Sequence, residues 1–316
     1  MNLVEKRTAL FALPTRQEVQ ACWELCRLHN NIGFWVVWLP TAWSIAMVYH
    51  AQPEIRATDA LLRALVYVPL CFGIKSLIMT IDDILDHDID ALVMRTRERA
   101  LPRGAISLAR AWMFFGIQVL LGVYLASRTL SKAALYVSMP VWPLYVIYPT
   151  CKRWTNLAPI PLGLMFKIGI FMGWSDLSIS PIPFKILTPI YIGACLWTVT
   201  YETIYQHQDH ADDIRIGLRS PARLCGKHTI KICTGTGIGF LGLLSYGGAL
   251  NGHGWAFQIG VLGAGIVLLS GLAKTNIDSP ETCKAMFLGT PLVGQIVLAG
   301  FVVDAVLHRG MEGIPF

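Results

Sequence analysis

The sequence predicts an all-α, polytopic membrane protein, and three observations predict it. Of 316 residues, 54% are hydrophobic and only 15% charged, with a mean hydropathy of +0.52. A water-soluble domain carries nearer a quarter charged residues. Nine apolar segments recur along the chain, at roughly 32–50, 58–80, 107–127, 133–150, 157–175, 184–206, 229–250, 254–273 and 286–307, each about long enough to cross a bilayer as a helix. Threading nine crossings from an inner N-terminus puts 18 of the 26 lysines and arginines on the inner side and 6 on the outer, with Lys75 and Lys167 inside spans. That asymmetry follows the positive-inside rule.

One domain over 1–316 follows, with residues 1–30 as an interfacial N-terminal segment. Arg16 to Leu28 places Val19, Cys22, Trp23 and Cys26 on one helical face, the pattern of a helix lying on the membrane. The N-terminus lacks the uninterrupted apolar core of a secretory signal. Eight cysteines form no CxxC pair, and Cys71, Cys195 and Cys233 fall in apolar runs, where a thiol packs as a small hydrophobe. The net charge of +6 is dispersed over loops with no aromatic-interleaved basic run, which speaks against nucleic acid as a partner. No obligate protein partner is evident.

The second segment ends in IDDILDHDIDALVMRTRERALPR, with Asp82, Asp83, Asp86, Asp88 and Asp90 followed by Arg95, Arg97, Arg99 and Arg103. A continuous helix stacks Asp82, Asp86 and Asp90 on one face, with Asp83 beside them. Like charges at that spacing repel, so a cation is expected among them. The sixth segment ends similarly in YETIYQHQDHADDIRIGLRS, with Asp209 and Asp213 four apart. Eight of the twelve aspartates lie in these two places, both on the inner side. Oxygen-only donors favour Mg²⁺ over zinc, and two such clusters with their own cations suit a diphosphate held through metal. The plainer alternative is a pair of solvated acidic helix ends.

Lys152 and Arg153 close the fourth segment on the same side, candidates to bind phosphate oxygens or, equally, loop charges that set the topology. Lys75 lies two turns before Asp82 and Asp83 and is a candidate partner for them. Trp197, Tyr201, Tyr205 and Asp209 recur every fourth residue, so an aromatic helix face leads toward the acidic cluster. Such a face suits a polyisoprenoid tail and an allylic cation, although aromatic stripes more often pack cores. Glu202, a carboxylate in an apolar span, is a candidate to orient an acceptor or take a proton.

These residues resemble the UbiA-type intramembrane prenyltransferases, most closely the fungal branch that prenylates polyketide-derived aromatics in meroterpenoid secondary metabolism. Asp82-Asp83-Ile84-Leu85-Asp86-His87-Asp88-Ile89-Asp90 is similar to the NDxxDxxxD signature, and Arg95 to Arg99 to the R-T-x-x-R element. Tyr148 and Lys152 fit YxxxK, and Asp209 and Asp213 fit the second DxxxD. Asp82 stands for the usual Asn, Glu202 for a common Asp, Asn31 and Ala100 for prolines. The resemblance implies about nine transmembrane helices around a central cavity capped by polar inter-helix loops, and two Mg²⁺ ions bridging a prenyl diphosphate.

The expected activity is membrane-bound, Mg-dependent transfer of an isoprenoid, farnesyl by branch resemblance, to a carbon of an aromatic acceptor. Asp82, Asp83, Asp86, Asp90, Asp209 and Asp213 are the expected metal ligands. Arg95, Tyr148, Lys152, Arg153, Tyr201 and Tyr205 are the expected substrate-binding residues. Asp83, Lys152 and Glu202 are the expected catalytic ones. The alternative is a membrane terpene cyclase acting on the diphosphate alone. Cation transport fits less well, since its acids sit near mid-bilayer.

Overall fold

The computed structural model describes residues 12–316, all of whose regular structure is helical. The first eleven residues of the expected N-terminal segment, with Lys6 and Arg7, lie outside the described residues. Helix α1 (Arg16–Leu25) opens with a capping box between Thr15 and Glu18. It buries Ala21 and Leu25 against Ile84, Ala100, Ile106 and Ala111, while Val19 and Trp23 stay exposed. The Val19–Cys22–Trp23–Cys26 face is thus divided, with Cys22 packing on that cluster and Cys26 buried. The Glu18–Arg110 ion pair, 2.8 Å, sets the rotation and leaves the aromatic side outward for the interface.

The membrane helices follow as α2 (Ile32–Ala51), α3 (Ala57–Leu85), α4 (Leu108–Thr129), α5 (Lys132–Ser138), α6 (Leu144–Trp154), α7 (Pro159–Lys167), α8 (Gly169–Leu177) and α9 (Phe184–Gln206). After the short α10 (His210–Ile216) come α11 (Thr229–Leu250), α12 (Trp255–Lys274), α13 (Pro280–Leu288) and α14 (Thr290–Glu312). Among the described residues, seven helical stretches are long and apolar enough to cross a bilayer, so the count of nine is approximate. The fourth segment is broken near Met139–Pro143. The sixth, α9, is long enough but diluted by Lys185, Thr198, Thr200, Glu202 and Thr203. The chain is an integral, multi-pass membrane protein.

Helix α2 is the interior post, buried without a break from Leu39 to His50. Around it α3, α6, α7, α9, α11, α12 and α14 contact one another in succession. Helix α4 is the opposite case, burying only Ala111 and presenting Leu120 and Tyr124 outward. Hydrocarbon offers helices no hydrophobic drive to associate, so small residues set the closest approaches. A Cβ on Gly260 of α12 would lie 2.7 Å from the Gly300 Cα of α14. One on Gly173 of α8 would lie 2.7 Å from the Thr41 carbonyl of α2.

Candidate active site

Both acidic stretches end at the same face of the bundle and meet there. Helix α3 carries Asp82 and Asp83 on its last turn and stops at Asp86, whose backbone (φ −100°, ψ 7°) leaves the helix. A separate single turn, His87–Asp90, then holds Asp90. The uninterrupted helix that would stack Asp82, Asp86 and Asp90 is therefore broken. Like-charge crowding disfavours that helix, and the break lets arginines enter from the following loop. Likewise α9 gives way at Gln206 to a 3-10 turn, His207–Asp209, before α10 presents Asp213.

Cations bind the carboxylates into one cluster. Arg99 bridges Asp83 (3.1 Å) and Asp90 (2.6 Å). Arg95 forms a two-pronged pair with Asp209, 2.7 and 2.5 Å, joining the first cluster's loop to the second cluster. Met94 N donates to Asp212 at 3.0 Å and strengthens that join. Lys152 Nζ lies 3.8 Å from Asp86, and its carbonyl accepts from Arg219 N across the gap at 2.9 Å. The turn that returns Arg219 there depends on Gly217 at φ +83°, a conformation glycine adopts without penalty.

Arg27 is the residue that sequence reasoning missed. It donates to Asp83 at 2.5 Å and lies 3.5 Å from Asp82. It is also the one described non-glycine with positive φ, +49°, and such strain gathers where surrounding structure enforces it. Lys75 supplies the enforcement. Rather than pairing with Asp82 or Asp83 as expected, its ammonium donates to the carbonyls of Cys26 (2.9 Å) and Arg27 (2.6 Å). The only sequence signal was one more arginine after a short amphipathic helix.

The cluster roofs an open cavity. Its polar end is lined by Arg27, Asp82, Arg95, Arg99, Lys152, Asp209 and Asp213, and its apolar end by Ile32, Val36, Met79, Leu162, Phe166 and Phe287. Tyr148, Tyr201, Glu202 and Tyr205 line it between them. Of the sequence-predicted site residues, Asp83, Asp86 and Asp90 are buried beside the cavity rather than on its wall. Arg153 is not brought in. Its guanidinium turns outward to Asp88, 2.7 Å, and the Leu85 carbonyl, because the break at Asp86 leaves Asp88 facing it. The aromatic stripe also divides. Tyr201 and Tyr205 face the cavity, whereas Trp197 is fully buried against Trp43 and Phe240.

Electrostatics outside the spans follow from burial and pairing. Burial, reinforced by Asp82, lifts Asp86 to about 7 despite Lys152. Asp213 is also raised by burial. Burial pushes Asp209 the same way, but its Arg95 pair outweighs that and holds it below the usual carboxylate range. Lys152 is held protonated against its burial by Asp86 and Asp82. Asp86 is 2% exposed and its Oδ1 has no hydrogen-bond partner. An orphaned oxygen in an all-oxygen donor set is what a hard divalent cation would satisfy, so the residues present fit Mg²⁺.

Residues 37–293 match the UbiA prenyltransferase family. Among curated relatives, the mitochondrial 4-hydroxybenzoate polyprenyltransferase of Aedes aegypti is 32% identical over 90% of this chain and 63% of its own length. The chain thus spans under two thirds of that relative. The Bos taurus enzyme of the same name is 34% identical over 88% of this chain and 74% of its own. A solved UbiA homolog from Archaeoglobus fulgidus bound to DMAPP and Mg²⁺ superposes with a TM-score of 0.63 at 16% identity, covering 90% of this chain and 99% of that one. Both mitochondrial relatives carry 4-hydroxybenzoate names. The chain is a membrane-embedded member of the UbiA prenyltransferase family.

Proposed function

We propose that this chain transfers an isoprenoid of about farnesyl length from its diphosphate to a ring carbon of a hydroxylated aromatic acid. One observation carries the reading: two carboxylate clusters and their cations meet over a single cavity whose far end is apolar and aromatic. Asp82, Asp86, Asp90, Asp209 and Asp213 would hold Mg²⁺, two ions by family resemblance, which when bound neutralises charge on the departing diphosphate. Arg95 and Lys152 bind its non-bridging oxygens. Arg27 and Arg99 fix Asp83 in place, so that it positions these cations. Tyr201, Tyr205 and Phe287 flank the tail, their ring faces stabilising an allylic cation while the apolar wall excludes water. Tyr148 lines the cavity beside the diphosphate end. Glu202 meets the acceptor and takes the ring proton as the new carbon–carbon bond forms.

The hydroxybenzoate names of the relatives support the acid class of acceptor. The polyketide-derived acceptor of a meroterpenoid pathway rests on motif resemblance alone. Both are hydroxylated aromatic acids, and a panel separates them. Purified protein with Mg²⁺ and geranyl, farnesyl or longer diphosphates is offered 4-hydroxybenzoate and an orsellinate-type acid, and products are identified by mass. Transfer abolished by Asp86→Ala or Asp213→Ala is the expected result. Undiminished transfer in those variants sinks the proposal, and a cyclic hydrocarbon or alcohol formed from the diphosphate alone replaces it with the cyclase.

A further inference from the structure

At the end of the bundle opposite the carboxylates, α2, the α11–α12 connection and α14 bring together His50, His253 and Asp304. One ligand atom from each lies within 4.8 Å of the others. His50 stands about 27 Å along α2 from Ile32, which lines the catalytic cavity, so this cluster is no part of that site. Asp304 has an evident duty, accepting from the N–H groups of Gly254 (3.0 Å) and Phe257 (3.3 Å) at the start of α12 and from His253 Nδ1 (2.8 Å).

The histidines have no such account. His50 is 4% exposed, yet neither ring nitrogen makes a hydrogen bond, and its Nε2 stops 3.6 Å from Asp304 Oδ2. His253 Nε2, equally buried, is also without a partner. Buried polar atoms in proteins are almost all satisfied, so a buried His50 with its Nε2 open beside the His253–Asp304 pair calls for a ligand. Ring packing alone does not require imidazoles. Phe257 and Phe301 stack at 4.2 Å alongside with no nitrogen to bury. The nearby Arg309 directs its N–H groups to the carbonyls of Tyr49, Gln52, Ile55 and Pro315, so it does not compensate Asp304.

We propose that His50, His253 and Asp304 form a structural site for a divalent transition metal of the zinc class, with His308 beside them as a fourth donor. Two imidazoles and a carboxylate suit zinc and disfavour Mg²⁺. Tetrahedral bonds of about 2.0 Å put donor atoms about 3.3 Å apart, between the 2.8 and 3.6 Å found for the His253–Asp304 and His50–Asp304 pairs. Burial lowers His253 to about 4, leaving the neutral ring that ligates. The neutral ring carries its proton on the unpartnered Nε2 when Nδ1 binds the metal, so no proton is lost. His308 stacks on His50 at 4.4 Å between ring centroids. A metal there adds a clamp to three segments already joined by the Asp304 and Arg309 hydrogen bonds.

Co²⁺ serves as a spectroscopic probe for the test. Full-length protein in detergent, stripped with EDTA and given saturating Mg²⁺ to fill the carboxylate site, is titrated with Co²⁺. One ion per chain with the strong visible absorption of a low-coordinate nitrogen–oxygen site, displaced by Zn²⁺, is expected. His50→Gln and Asp304→Asn should each weaken it at least tenfold, and Asp213→Asn should leave it unchanged. Asp304→Asn retains an oxygen for the Gly254 and Phe257 N–H groups, so it reports even where His50→Gln does not fold. A wild-type protein giving no such absorption overturns the site, as does absorption that persists in Asp304→Asn.

Discussion

Arg27 shows how a single side chain can organise a site. Its strained backbone is held by Lys75 from below, while its guanidinium is held by Asp83 and Asp82 above. Removing Arg27 strips Asp82 of its ion pair, while Asp83 keeps Arg99. Arg27→Ala is therefore expected to destabilise the protein by about 1–3 kcal/mol, read as a lowered melting temperature in detergent together with loss of prenyl transfer. Asp86 gives a pH signature. Between about pH 4, where a free carboxyl ionises, and about pH 7, the folded protein keeps a proton there that the unfolded chain has shed. The stability of metal-free protein contributed by Asp86 is thus full below that window and lost as pH rises through it. Melting curves of wild type against Asp86→Asn should diverge across this range, with the wild type falling. Under the proposed mechanism, Glu202→Gln removes a proton acceptor and keeps the shape. It should lower turnover by about 10²-fold with the KM for the diphosphate little changed.

At the scale of elements, helix ends rather than helix middles make the site. α3 and α9 both stop short of their last carboxylates, and the following turns supply Asp90, Asp209 and Asp213. The periodicity of the acids was legible in the sequence, but it suggested unbroken helices. The breaks admit Arg95 and Arg99 from the next loop, a contact between segments that no local spacing encodes. Gly237 and Gly239 of CTGTGIGF pack near Leu268 and Leu196, whereas Gly235 faces open space. Gly260→Ala, forced against the Gly300 backbone, should destabilise by about 1–3 kcal/mol. Gly235→Ala should be neutral or stabilising by a few tenths to about 1 kcal/mol, since alanine is the better helix former. Thermal unfolding of the two variants in the same detergent checks the contrast.

For the whole molecule, the charge bias places the carboxylate face inward and the His50–His253–Asp304 end outward. In sealed, oriented vesicles of a cysteine-depleted protein, Arg97→Cys should react with an impermeant maleimide only from the inner side and Glu54→Cys only from the outer. Both positions are solvent-exposed. Labelling of both from one side would overturn the topology. The sequence by itself determined the membrane class, the approximate crossings, the sidedness of the acids and the chemistry of the donor set. Hydropathy, charge bias and residue type are properties of the chain read in one dimension. Only the tertiary structure decided that Arg27 belongs to the site, that Arg153 turns away from it, that Lys75 holds a backbone rather than a carboxylate, and that two histidines and an aspartate from distant segments share one buried place. Each of those depends on which side chains reach across between helices, and that is set by packing angles and helix breaks absent from any local pattern.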